Sequence, residues 1–469
     1  MNLAELTATA ALAAFERGEL TSRDYVTFLL ERCRKHKDLN AFIYFDADRA
    51  LDAASDADEI RATGQDVGPL HGLPLALKDN LDTADMPTTG GTPGLRDNRP
   101  KQNAPVVQAL LDAGALILGK ANLHELAYGI TNNNGAFGPA RNPYGKDRIP
   151  GGSSGGTGVA VGARLAPAGI GTDTGGSVRV PAALCGIAGL RPTVGRYSQA
   201  GIVPISHTRD TAGPMARSVA DLALIDGVVT GGPRSITAAP LKGLRLGVPR
   251  GYYYENLDGA LAAVVEDALK RLKDAGVVLV EADVPNVKAL DDAVSFPVAL
   301  FETVTDLNMY LRDHRAGLDF AGLVAKVGSP DVKGILGSLL GEGAVPEAAY
   351  REALKTHRPA LQAAYADYFK KNRVEAMIFP TTPLPAAKIG EDETTKLNGQ
   401  DVPTFFTFIR NTDPASNAGT PGLSLPVGLT KSGLPVGMEL DGPAGSDRSL
   451  LAIGLALEAV FPPLPAPKL

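Results

Sequence analysis

The chain has 469 residues, 44% of them hydrophobic and 21% charged, which is apolar material enough for a large globular core. A net charge of -6, with no Lys/Arg cluster to offset it, excludes a nucleic-acid-binding surface, since that needs a concentrated basic face. Two distant cysteines, Cys33 and Cys185, exclude a disulfide framework and point to a reducing cytoplasm.

The apolar residues Leu3, Leu6, Ala10, Ala13 and Ala14 predict an N-terminal amphipathic helix. Glu5 and the lack of a basic n-region argue against a signal peptide. Thr21-Ser22-Arg23-Asp24 predicts a helix start, with Tyr25, Phe28, Leu29 and Cys33 following on one face. The Ala- and Asp-rich residues 46–63 predict a second surface helix. Residues 74–79 read as a buried strand ending in charge. A helix over 105–114, capped by Gly114, leads into a strand over 115–118, and the pair recurs as helix 259–276 and strand 277–282. That rhythm predicts an α/β fold. Between about 130 and 215, Gly, Ser, Thr and Pro dominate, and the stretch reads as long functional loops. Residues 287–372 return to helical patterning, and the short apolar runs 377–379 and 434–440 read as late strands.

With no internal repeat or low-complexity linker, residues 1–469 read as one α/β domain carrying a mainly helical insertion or cap at about 250–372. No apolar run reaches the roughly 18 residues needed to span a bilayer. The nearest, 158–172, is broken by Arg164 and Pro167. A cytoplasmic protein outside the membrane is expected.

Three segments carry chemistry. Lys78 closes the apolar stretch LPLALKDN. It either snorkels from a strand end to water or is buried and kept neutral by desolvation. Gly151-Gly152-Ser153-Ser154-Gly155-Gly156 precedes a small-residue helix. Ser153 or Ser154 could cap that helix. The segment also fits G-x-S-x-G, but the residues before it, Lys146 to Pro150, are not the buried strand a nucleophile elbow requires. Lastly, Asp173-Thr174-Gly175-Gly176 leads into Ser177. Consecutive small residues can turn several N–H groups toward one point, which suits an oxyanion hole beside a nucleophilic serine.

None of the six histidines lies in a Ser-His-Asp or metal-ligand pattern, and His71 and His124 read as structural. Residues 114–121 nearly match a P-loop, but Ala121 lacks the hydroxyl for Mg²⁺ and the middle is apolar, so nucleotide binding is rejected.

GGSSGG, then GTDTGGSVRVPAALCGIAGLRPT, with LPLALKDN upstream, resembles the amidase signature family. The likeness extends through NLHELAYGITNNNGAFGPARNP and NTDPASNAGTPGLSLPVG, covering essentially the whole chain. It implies a large twisted mixed β-sheet covered by helices on both faces. It also implies Ser177 as nucleophile, Ser153 as a bridging serine on a cis peptide, and Lys78 as base. Thr174, Gly175, Gly176 and Ser177 would supply oxyanion-hole N–H groups, and Ser154, Asp173 and Arg179 would support the network. By position Tyr128, Gly129, Ile130 and Thr131 would line the acyl pocket, with Phe301 or Phe405 as contributors.

Residues 196–211 and PVGMELDGPAGSDRSLLAIG resemble indoleacetamide and mandelamide hydrolases, which implies a primary aryl-acetamide as the small-molecule partner. Two other readings are anilide or carbamate hydrolysis on the same scaffold, and the glutaminase subunit of a tRNA-dependent amidotransferase complex. A catalytically silent binding protein is a further class, disfavoured by the intact Lys78/Ser153/Ser177 set. No cofactor, metal, nucleic acid or membrane is expected, and the assembly would be a monomer or homodimer.

Overall fold

The computed structural model describes residues 1–314 and 317–469. Its strands are, in chain order, β1 (Phe42–Phe45), β2 (Pro74–Lys78), β3 (Leu116–Ala121), β4 (Ala168–Asp173), β5 (Ala188–Arg191), β6 (Thr211–Ala216), β7 (Arg245–Val248), β8 (Val278–Glu281), β9 (Ala376–Pro380), β10 (Thr394–Leu397), β11 (Gln400–Pro403), β12 (Gly422–Leu429) and β13 (Pro435–Asp441). Eleven of them form one sheet in the order β1-β3-β2-β4-β6-β5-β12-β13-β9-β7-β8, and β10 and β11 form a separate hairpin. The sheet is mixed. β2 runs parallel to both β3 and β4, whereas β4 is antiparallel to β6 and β12 to β13.

Helices cover both faces, as the alternation along β12 shows. Successive strand residues point to opposite sides. Leu423 packs where a Cβ on Gly454 of helix Asp447–Glu458 would sit, while Ser424 lies beside Gly437, whose face is covered by Ala183 of helix Arg179–Cys185. Among the described residues, no helix is long and apolar enough to cross a membrane.

The early elements follow their local signals. Helix Ser22–Lys35 starts where Thr21 Oγ1 accepts from the Asp24 N–H. Helix Ala47–Ala62 and helix Pro105–Asp112 also form where the residues predict them. The expectation of long loops over 130–215 holds at 130–154 and 192–210 and fails between them and at β6. The stretch holds β4, β5 and β6 and the helices Gly155–Gly162 and Arg179–Cys185, and most of it is buried. Elements buried on every side carry no amphipathic period to read. The glycines there permit close approach: a Cβ on Gly156 would lie 2.4 Å from the Asn122 nitrogen.

Helix Gly259–Asp274 and β8 form as the residues predict, and β8 joins β7 in the main sheet although it falls inside the span 250–372 expected as a mainly helical insertion. The helical stretch therefore begins at Val287, with the 28-residue helix Val287–His314.

Candidate active site

Lys78 is the last residue of β2, between β3 and β4, and is wholly buried. Its Nζ donates to Ser153 Oγ at 2.8 Å, to Thr172 Oγ1 at 2.7 Å and to Thr172 O at 3.3 Å. No carboxylate pairs with it among the described residues. Burial therefore dominates and lowers its pKa to about 7, and the more distant Asp173 and Asp210 only partly oppose that shift. Holding an amine there costs on the order of 5 kcal/mol at low pH, a cost expected where a neutral amine is useful.

The Gly152–Ser153 peptide is cis. Ser154 N donates to Ser177 O at 3.1 Å, which ties the two serine loops together. The Ser154 hydroxyl does not cap the following helix. It donates to Thr172 O at 3.1 Å and accepts from Thr172 N at 3.2 Å, fixing the residue that holds Lys78. The helix end is satisfied instead by Asn132 Oδ1 and Asn122 O, which accept from the N–H groups of Gly155 and Gly156.

β4 ends at Asp173, and the turn to helix Arg179–Cys185 carries Ser177. Asp173 is buried, which works against its charge, but Arg179 and Arg191 outweigh that and hold its carboxyl well below the usual range. Its Oδ1 accepts from Gly176 N at 2.8 Å and its Oδ2 from Val178 N at 3.1 Å. The Gly176 N–H expected in the oxyanion hole is thus engaged in shaping the turn. The N–H groups of Thr174, Gly175 and Ser177 have no partner among the described hydrogen bonds.

Arg179 uses all five of its donors. They go to both oxygens of Asp173, to Glu439 Oε1 at 2.5 Å, to Thr412 O at 2.9 Å and to Ser416 Oγ at 2.6 Å. Arg179→Met leaves two buried carboxylates short of a partner. We expect a loss of about 3–5 kcal/mol in a urea-unfolding experiment, and a loss below 1 kcal/mol would show the network to be dispensable.

Ser177 lines a cavity of about 680 Å³ together with Tyr128, Gly129, Ile130, Thr174 and Gly175. Its walls are largely apolar, with Ile205, Phe296, Leu300, Phe405 and Ile409, and no histidine lines it. Thr131 is not part of the wall, because its hydroxyl donates to Asp392 Oδ1 at 2.7 Å. Phe301 is also outside; it stacks on Tyr350 with ring centroids 4.1 Å apart.

The remaining histidines named above have structural partners. His71 Nε2 lies 2.7 Å from Ala57 O, and His124 Nε2 lies 2.9 Å from Asp331 Oδ2. Among the described residues one group, His207, Glu302 and Asp306, could converge on a metal ion. Glu302 there already accepts from Ser206, Thr208 and Tyr350, so its lone pairs serve the 206–208 turn.

Several residues escaped the sequence reading. Thr172 holds Lys78, and Asn80 Nδ2 donates to Thr172 Oγ1 at 3.0 Å. Arg209 and Asp413 pair on the cavity wall. Thr172 and Asn80 lie within the GTDTGGS and LPLALKDN segments, but nothing local marks them as joined to one another and to the Lys78 amine. Chemically, the site offers an amine whose pKa burial lowers to about 7, a hydroxyl bonded to that amine, a second hydroxyl in a cavity, and a turn rich in N–H donors.

The family model described as Amidase matches residues 24–451. The chain is 46% identical to an indoleacetamide hydrolase of Agrobacterium vitis over 447 residues, 95% of each chain. It is 43% identical to a mandelamide hydrolase of Pseudomonas putida, covering 99% of this chain and 93% of that one. A solved structure described as an amidase superposes with a TM-score of 0.87 at 33% identity, covering 97% of this chain and 100% of that one.

Proposed function

The chain belongs to the amidase signature family and is an amide-hydrolysing enzyme, and on that premise we propose that it cleaves a small aryl-acetamide to the carboxylate and ammonia through Ser177, Ser153 and Lys78. The observation that carries the proposal is Lys78 Nζ, buried, without a carboxylate partner among the described residues and 2.8 Å from Ser153 Oγ. Neutral Lys78 takes the Ser153 proton while Ser153 takes that of Ser177, so the weak alcohol is activated as it attacks the amide carbon. The N–H groups of Thr174, Gly175 and Ser177 receive the developing oxyanion. The relay then runs backward and protonates the departing nitrogen. Water repeats the cycle on the acyl-enzyme, and the scheme needs no cofactor.

The aryl-acetamide assignment is supported by the apolar, Phe-bearing wall around Ser177 and by the two hydrolases to which the chain is similar. The test is kcat/KM across indole-3-acetamide, mandelamide, a para-nitroanilide, an aryl carbamate and glutamine. The first two should lead the others by at least about tenfold, a modest gap for one apolar pocket. Glutamine or the carbamate in front would overturn the substrate assignment and favour the amidotransferase or urethanase reading. Cys33 and Cys185, both buried and unpaired, support a cytoplasmic site of action.

A further inference from the structure

Arg209 sits on the cavity wall, 2% exposed, between three parts of the chain. Its Nε donates to Thr174 O at 3.3 Å, Nη1 donates to Ser295 O at 3.0 Å, and Nη2 donates to Asp413 Oδ1. Ser295 Oγ in turn donates to Asp413 Oδ2 at 2.5 Å, so the guanidinium is held in one orientation from the helix Val287–His314 and from helix Asp413–Ala418.

Its neighbour Asp210 grips the same residue from the other side. Thr174 Oγ1 donates to Asp210 Oδ1 at 2.6 Å, and Asp210 Oδ2 accepts from the Ile205 and Ser206 N–H groups. Thr174 is thereby fixed at its hydroxyl by Asp210 and at its carbonyl by Arg209. The ion pair also presses on Gly175: a Cβ there would lie 2.8 Å from Asp413 Oδ1 and 3.4 Å from Arg209 Nη2.

The Thr174 carbonyl and the Gly175 N–H belong to one planar peptide unit. A cationic donor on that oxygen fixes the orientation of the N–H and polarises it, since linked hydrogen bonds strengthen one another. The geometry points to Arg209 as a positioning residue that sets the Gly175 N–H as an oxyanion donor through the carbonyl of the same peptide. The inference rests on Ser177 as nucleophile and deepens that reading. It also couples the helical region after Val287 to the chemistry, because Ser295 is one of the groups that aim the guanidinium.

The test uses Arg209→Met in the full chain, with the best amide of the panel, the matching aryl-acetaldehyde and the matching aryl-acetate. The aldehyde accepts Ser177 Oγ at its carbonyl carbon to give a hemiacetal, the serine proton passing through Ser153 to Lys78, and its oxygen then occupies the oxyanion site. The expected kcat loss is about 10- to 100-fold, somewhat less than for removing an oxyanion donor outright. KM should stay within about threefold, aldehyde affinity should fall in parallel with kcat, and acetate affinity should hold, since ground-state binding is untouched.

A kcat within about twofold of the parent overturns the proposal, as does a kcat loss with unchanged aldehyde affinity. Should Arg209→Met not fold, Arg209→Lys decides by the same measurements, because it keeps a cation for Asp413 without the fork that also reaches Thr174 O. If neither folds, Arg209 serves stability and the proposal falls. Ser177→Ala run in parallel keeps the two readings apart. Activity there removes Ser177 as nucleophile, whereas an inactive Ser177→Ala beside a fully active Arg209→Met removes only the role of Arg209.

Discussion

Ser177→Ala should lower kcat by about 10⁴-fold or more on every amide of the panel, because loss of a nucleophile leaves only binding and oxyanion stabilisation. The substitution removes one hydroxyl that has no hydrogen-bond partner among the described residues. Stability should therefore stay within about 1 kcal/mol of the parent, as for changes that break no buried network. Steady-state kinetics and a urea-unfolding curve check both halves. Residual activity within tenfold of the parent would remove Ser177 from the chemistry.

Lys78→Met should cost about 10²- to 10⁴-fold in kcat/KM, the range for a lost general base, and it should also change the pH dependence. The parent's Lys78 has its pKa lowered by burial to about 7, so kcat/KM should rise from acid pH and level off above about 8. The variant should lack that limb. The stability sign runs the other way from a salt-bridged lysine. Below about 7 both states hold the proton and the folded state carries the full cost of a buried ammonium; between about 7 and the ordinary lysine pKa of about 10.4, that cost fades as the folded state sheds its proton first. Lys78→Met should thus compare more favourably with the parent at pH 6 than at pH 9. A comparison that favours the variant equally at both would contradict a neutral amine.

Much of the site was legible because its residues lie in short, chemically odd segments. Ser177 follows a run of small residues, Lys78 ends an apolar strand, and Ser153 sits among glycines, so each announces itself locally. Tyr128, Gly129 and Ile130 reach the cavity as their position implied, while Thr131 turns away because Asp392 offers a better partner. Gly176 was read as a donor to substrate. The Asp173 carboxylate claims its N–H, a competition that only the folded turn reveals.

The fold was readable where one face is wet. Helix Ser22–Lys35 and helix Ala47–Ala62 alternate apolar and polar residues at helical spacing, and their caps sit where capping chemistry requires. The elements over 155–191 and β6 were not readable, since segments buried on all sides lose the period that reports secondary structure. β8 and the helix Gly259–Asp274 before it were legible as a pair, since both keep residues exposed to water.

By itself, the sequence determined the groups proposed to react and their order along the chain, because the two serines, the lysine and the glycine-rich turn are local choices of residue. The family resemblance joined them into one relay. Tertiary structure decided their protonation and their aim. Lys78 has its pKa lowered to about 7 because burial between β3 and β4 penalises its charge and no carboxylate pairs with it among the described residues, and Asp173 is charged because Arg179 and Arg191 meet on it from other elements. Arg209 reaches Thr174 only because Asp413, more than two hundred residues away in the chain, holds it there. Desolvation and long-range pairing depend on what the fold brings near, and no run of neighbouring residues records that.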